Sequence, residues 1–273
     1  MEQRAVEVRP VHIITPFFCQ KDLNSNAANL FKLTLKTVAE TVEYPFQWTI
    51  IDNGSSDEVV KWLREEVEAN PKVTNIIYNE TNYGIGKACN QGVDAGPKDY
   101  IMKLDADMSF YKKGWLRELV WAVDNIPSAG AIGVSVEKSN YSIVTYEGKQ
   151  FQNHRAHIGG ACFLYPKRIH DLLGYWNEEY DPYGGTDGDF GMRVKYAGYK
   201  NLYLNDKEIV KHCYLEEVQM VKEVPGVYTN YKSGLRKKNT PILHKNLQAY
   251  DKKTKSLKFI RNVEGKVVNE GER

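Results

Sequence analysis

The chain predicts an α/β fold with a mainly parallel sheet flanked by helices. Short apolar runs alternate with segments whose apolar residues recur at helical spacing, each run stops at turn and cap residues, and the connections are short. In such a sheet the loops that follow the strands open on one edge, and ligands bind there.

Val11-His12-Ile13-Ile14-Thr15 reads as a buried strand. Leu30 to Thr41 follows as a helix, capped by Asn26 or Asn29. A second strand, Gln47 to Ile51, stops at Asp52-Asn53-Gly54-Ser55-Ser56-Asp57, a run of turn and cap residues ahead of a helix from Glu58 to Ala69. Val73 to Tyr78 is the third strand, Gly86 to Ala95 the third helix and Tyr100 to Leu104 the fourth strand. Beyond Asp107 the pattern loosens. Trp115 to Val123 reads as a helix, and Ala131 to Val136, Ser142 to Tyr146 and Gly159 to Tyr165 as strands. Lys167 to Leu173 and Phe190 to Ala197 read as helices, and Asn201 to Leu204 as a short strand. From Pro225 onward a polar, Lys-rich extension of weak periodicity is expected.

At 273 residues, 42% hydrophobic and 26% charged, the chain is an ordinary globular protein able to bury a substantial core. The first apolar stretch, Val11 to Phe18, is too short for a membrane span or a signal peptide, so a soluble, cytoplasmic protein without a transmembrane segment is expected. Cys19, Cys89, Cys162 and Cys213 form no C-x-x-C pair and read as buried free thiols, as a reducing compartment allows. The net charge of +2 is uneven: residues 1–221 hold 24 Lys+Arg against 30 Asp+Glu, residues 222–273 hold 13 against 5. A basic terminal segment of this kind either docks on nucleic acid, an anionic membrane surface or a phosphorylated substrate, or is a solvated tail.

The fourth strand delivers Asp105-Ala106-Asp107 into a turn, where alternate carboxylates can aim hard oxygens at Mg2+ or Mn2+ bridged to substrate phosphates. Asp-x-Asp recurs at Asp187-Gly188-Asp189, so its setting must carry the claim. Four stretches supply that setting: Val11-His12-Ile13-Ile14-Thr15-Pro16, Ile51 to Asp57, Asn82-Tyr83-Gly84-Ile85-Gly86-Lys87-Ala88-Cys89-Asn90-Gln91-Gly92, and Leu104 to Asp107. In their order and spacing, residues 11–215 resemble a family 2 glycosyltransferase of the GT-A, nucleotide-sugar-binding fold. A further block, Tyr183-Gly184-Gly185-Thr186-Asp187-Gly188-Asp189-Phe190 with Arg193, resembles the family's Glu-Asp acceptor and base motif, followed by Val210-Lys211-His212. Thr186 stands where the family usually has the Glu that contacts the acceptor.

The resemblance implies a metal-dependent, inverting transfer of a sugar from a nucleoside diphosphate, UDP first, to a hydroxyl acceptor. Residues 1–107 would bind the donor, 108–221 would hold the acceptor and catalytic groups, and 222–273 form the basic extension. Asp107 is the expected direct metal ligand, and Asp105 contacts the ribose or reaches the metal through water. His212 is either a third ligand or structural. Asp52 accepts from a uracil N–H or caps the next helix, with Thr15 and Pro16 beside the same base and ribose. Asn82, Gly86 and Lys87 lie where the backbone before a helix can pass close to the donor. Asp187 is the candidate general base, since a carboxylate can take the hydroxyl proton late in the attack. Asp189 either joins the acceptor side or caps its helix, and Arg193 reads as a helix-anchoring ion pair. Gly160 lets a backbone approach the sugar, and Trp176 and Tyr183 either stack on sugar or base or form an apolar wall. Two other classes stay in view: a catalytically silent nucleotide-sugar or nucleic-acid binding module, suggested by Thr186 and the basic tail, and a nucleotidyltransferase. The latter normally needs a Gly-rich, cationic loop after its first strand, where this chain has Thr15-Pro16-Phe17-Phe18.

Overall fold

The computed structural model describes residues 8–134, 141–154, 158–180, 182–206, 208–213 and 225–272. Its first half alternates β1 (Val11–Phe17), α1 (Lys21–Asn24), α2 (Ala27–Thr41), β2 (Phe46–Asn53), α3 (Asp57–Trp62), β3 (Asn75–Asn79), α4 (Ile85–Asp94) and β4 (Tyr100–Leu104). These strands run parallel in the order β3-β2-β1-β4. Neighbouring residues of one strand enter opposite cores, as period two demands when helices cover both faces. Ile13, Ile50 and Met102 pack with Phe31, Leu116 and Leu119. Ile14, Ile51 and Ile101 pack on the other face with Val93, Trp176 and Phe190. Gly92 lets α4 lie close on β1, because a Cβ there would overlap the Ile14 side chain. His12 is buried in β1, its Nε2 2.9 Å from Thr49 Oγ1, and burial lowers its pKa to about 4, so it sits neutral in the sheet.

The second half contains β5 (Met108–Phe110), α5 (Trp115–Asn125), β6 (Ala129–Val134), β7 (Ser142–Tyr146), β8 (Lys149–His154), β9 (Cys162–Pro166), α6 (Lys167–Leu173), α7 (Thr186–Tyr196), β10 (Lys200–Leu204) and β11 (Val210–His212). It extends the sheet to nine strands through β4-β9-β6-β10-β8-β7. Here β6 and β10 are parallel, while β9 runs antiparallel to β4 and β6, and β8 antiparallel to β10 and β7. A separate two-stranded ladder pairs β5 with β11 and sets His212 opposite Met108. Strands β5, β8 and β11 are short or polar and escape the sequence pattern. The end of the strand expected at 131–136 and the 221/222 boundary lie outside the described residues.

Two expectations change. The helix expected from Phe190 starts at Thr186, because Gly185 at φ 99° turns the chain and its carbonyl accepts from the Asp189 N–H at 2.8 Å. The polar extension is ordered into α8 (Pro225–Asp251) and a hairpin of β12 (Phe259–Arg261) with β13 (Val267–Asn269). Helix α8 is held by amides as well as apolar groups. Buried Asn239 donates to the carbonyls of Tyr183 and Gly184, and buried Asn246 to Glu179 Oε2 at 2.7 Å and Tyr180 Oη at 2.9 Å. Tyr250 and Phe259 complete the burial. Polar anchors of this kind blur the apolar stripe from which a helix is read. All four cysteines are free and buried. No described helix is long and apolar enough to cross a membrane.

Candidate active site

The Asp105-Ala106-Asp107 turn is fixed by backbone and hydroxyl contacts on several sides. The Asp105 N–H donates to Ala161 O at 2.7 Å, and the Cys213 N–H to Asp107 O at 2.8 Å. From α2, Thr34 Oγ1 donates to Ala106 O at 2.8 Å and accepts from the Met108 N–H at 3.0 Å. The β5–β11 ladder then brings His212 Nε2 to 3.4 Å from Asp107 Oδ2.

Asp187, in the first turn of α7, arrives at the same edge. Between it and Asp105 lies Lys103, whose side chain is only 3% exposed. The Lys103 ammonium is 2.8 Å from Asp105 Oδ1 and 3.4 Å from Asp187 Oδ1, and donates to Gly160 O at 2.5 Å. Burial alone would lower its pKa, but Asp105 and then Asp187 hold it above the ordinary lysine value. Gly160 is required by this packing, since a Cβ there would overlap the Asp187 carboxylate.

On the donor side, Asp52 is the penultimate residue of β2, in register with Phe17, and is 1% exposed. Its Oδ1 accepts from the Ser55 N–H at 3.3 Å, whereas Oδ2 is buried without a hydrogen-bond partner among the described residues. Burial raises its pKa. Thr15 is fully buried with its side chain turned inward, Oγ1 accepting from Trp48 Nε1 at 2.9 Å, and Pro16 follows half-buried. Asn82 Oδ1 accepts from Asn53 Nδ2 at 2.9 Å and from the Gly84 N–H at 3.0 Å, which shapes the loop before α4. Exposed Lys87 stands 4.0 Å over the Tyr83 ring. The close approach at Gly86 is to protein: a Cβ would lie 2.7 Å from Asn177 O.

Of the acceptor-side residues, Tyr183 lies at the mouth of the site, where Arg236 Nη2 donates to its Oη at 2.9 Å and Lys232 Nζ lies 5.5 Å from its ring. Thr186 is buried, its Oγ1 without a partner among the described residues. Trp176 and Asp189 lie in the interior, Trp176 as part of an apolar wall. Trp176 is 1% exposed and stacks on Phe190 at 4.6 Å. Asp189 is fully buried against Arg193 at 2.7 Å, with Tyr180 and Tyr250 each donating to Oδ2 at 2.9 Å. Arg193 is the helix-anchoring ion pair expected of it; its guanidinium also donates to the carbonyls of Leu173, Tyr175 and Leu257.

Sequence reasoning missed Lys103, Lys232 and Arg236. A charge inside Tyr-Ile-Met-Lys-Leu, two residues before Asp105 and so on the same strand face, is the signal that would have found Lys103. Nothing comparable marks the other two, which reach the site on α8.

A parallel sheet whose strand ends gather Asp52, the Asp105–Asp107 turn and, from a later helix, Asp187 is the architecture of a GT-A nucleotide-sugar transferase. The model of glycosyl transferase family 2 matches residues 23–167, and the chain belongs to that family. Among solved structures, mannosyltransferase PcManGT from Pyrobaculum calidifontis, in complex with GDP-Man and Mn2+, superposes with a TM-score of 0.56 at 15% identity over 91% of this chain and 77% of its own. GalNAc-T7 with UDP, GalNAc and Mn2+ gives 0.59 at 15% identity over 94% and 60%, and S. aureus TarS gives 0.53 at 16% over 74% and 36%. At these identities the likeness is one of fold. Among curated proteins, the uncharacterized protein y4gI of Sinorhizobium fredii is 21% identical over 212 residues, and the match spans 67% of this chain but 23% of that relative.

Proposed function

We propose that the protein transfers a sugar from a nucleoside diphosphate, UDP first, to a hydroxyl acceptor with inversion at the anomeric carbon. The observation that carries this reading is the meeting of Asp187 with the Asp105–Asp107 turn around one buried lysine. Asp187 takes the hydroxyl proton as that oxygen attacks the anomeric carbon from the face opposite the diphosphate. The bond to the diphosphate breaks, and the leaving group departs with the electron pair. The unpartnered Oδ2 of Asp52 suits a base N–H, because a buried acceptor without a donor is costly until a ligand supplies one. Backbone at Thr15 and Pro16 and the loop from Asn82 to Lys87 complete the donor side.

Among the described residues no group of three or more His, Cys, Asp or Glu is arranged to hold a metal. Asp107 and His212 nevertheless form a carboxylate–imidazole pair at the strand edge, and Asp105 is engaged by Lys103. That pair fits Mn2+ or Mg2+ held partly by substrate phosphates, Mn2+ the better with imidazole. A bound ion would neutralise charge developing on the leaving diphosphate. The complexes of PcManGT with GDP-Man and Mn2+ and of GalNAc-T7 with UDP, GalNAc and Mn2+ support the same assignment.

A calorimetric screen of UDP-, GDP-, TDP- and CMP-sugars with and without Mn2+ tests it. One nucleotide class is expected to bind in a metal-dependent way, with affinity at least about tenfold weaker in Asp107→Ala. Metal-independent binding, or none, refutes the assignment.

The acceptor we propose is anionic, such as modified DNA or a lipid-phosphate glycan at a membrane surface. Support comes from the basic balance of residues 222–273 and from α8, which carries Lys232 and Arg236 to Tyr183. Truncation is a poor test, because Tyr250 and Phe259 belong to the folded interior. Replacing exposed Lys237, Lys238 and Lys245 by Gln should weaken binding to duplex DNA or phosphatidylserine vesicles. It should also flatten the salt dependence by up to about three units of slope for DNA. An unchanged slope removes the proposal for both acceptors.

A further inference from the structure

We infer that Lys103 is a positioning residue that locks the base Asp187 to the Asp105–Asp107 turn, so that donor and acceptor groups are held in one fixed relation. The inference rests on the transfer reading and extends it to a side chain outside the motifs of that reading. A lysine in a strand whose other members are Tyr100, Ile101, Met102 and Leu104, all buried, is an anomaly that packing does not require. Three oxygens from three different parts of the chain surround this ammonium: it donates to Asp105 Oδ1 after β4 and to Gly160 O before β9, and forms an ion pair with Asp187 Oδ1 in α7.

The first two lie within the β4–β9 neighbourhood, where a lysine holding only the local fold would find its partners. The third contact reaches to another element and to the one carboxylate that must face the acceptor. Gly160 belongs to the same arrangement. Its missing Cβ makes the space in which the Asp187 carboxylate stands beside the ammonium. One cation thus stands between two carboxylates, 2.8 Å from Asp105 Oδ1 and 3.4 Å from Asp187 Oδ1.

The test compares wild type with Lys103→Met, Lys103→Arg and Gly160→Ala. UDP-N-acetylglucosamine and GDP-mannose with Mn2+ serve as probes, and the readouts are donor affinity, thermal unfolding and the rate of nucleoside diphosphate release, with water standing in for the acceptor. A lost positioning contact is expected to slow release about 100-fold in Lys103→Met while donor affinity stays within about threefold. Lys103→Arg should recover part of the rate, and Gly160→Ala should show the same separation of rate from affinity. Release within threefold of wild type in Lys103→Met overturns the inference. So does a parallel loss of affinity, rate and unfolding midpoint in both Lys103→Met and Gly160→Ala, which marks a structural role. If wild type neither binds nor hydrolyses either donor, the transfer reading itself fails, and that result is visible before any variant is compared.

Discussion

Asp187→Asn is expected to lower turnover by about 10²–10⁴-fold while leaving donor affinity unchanged, the range that follows from removing a positioned general base. The substitution is close to isosteric. An amide oxygen can still stand beside the Lys103 ammonium, which lies 3.4 Å from Asp187 Oδ1, and Gly160 still leaves room for the group. What disappears is the capacity to take a proton from the attacking hydroxyl. The donor side, built from Asp52, the Asn82–Lys87 loop and the Asp107–His212 pair, belongs to other elements and should not respond. Steady-state kinetics with calorimetry of the donor separates the outcomes. Loss of donor affinity along with rate would make Asp187 a structural residue of the cleft, and an unchanged rate would place the base elsewhere. Chemical analysis of the product supplies a companion result, because single displacement from an α-linked donor must give a β-linked product.

Strands β1, β2 and β4 were legible because each is largely buried on both faces, so its apolar run is nearly continuous, and because the chain then meets residues that cannot extend it, as at Asp52-Asn53-Gly54, whereas β3 is a half-buried edge strand. The Asp105–Asp107 turn was legible for the same reason, at the end of β4, which is buried throughout. Legibility failed where polar groups take over the work of apolar ones. Helix α8 docks through Asn239 and Asn246, so its sequence reads as a tail although Tyr250 is 3% exposed. Trp176 and Asp189 carry chemistry that suits a sugar site, yet both are consumed by the interior, one by the aromatic stack with Phe190 and one by Arg193. Residue type alone does not separate a ring that meets a ligand from a ring that meets another ring. Lys103 shows the converse: a charge that looks misplaced in a strand is where two halves of the site meet.

Asp189→Ala is expected to destabilise the fold by about 3–5 kcal/mol, the cost of leaving one member of a buried ion pair without its partner. Both side chains are 0% exposed, and the Arg193 guanidinium would keep only the carbonyls of Leu173, Tyr175 and Leu257. Tyr180 and Tyr250 would lose the acceptor they share, Asp189 Oδ2. Tyr250 sits on α8 and Leu257 just beyond it, so the pair ties the C-terminal segment to α7, and the loss should loosen that segment first. Chemical denaturation measures the total, and hydrogen exchange across 225–260 should show where it falls. The double variant Asp189→Leu/Arg193→Met provides the control, because removing both charges together avoids the stranded cation and should cost less than Asp189→Ala alone. A single-variant loss below about 1 kcal/mol would mean that water reaches the pair and that its burial does not hold α7 in place. The consequence for function follows from spacing. Asp187 precedes Asp189 by two residues in the first turn of α7, so whatever anchors Asp189 also sets the position from which Asp187 faces the donor.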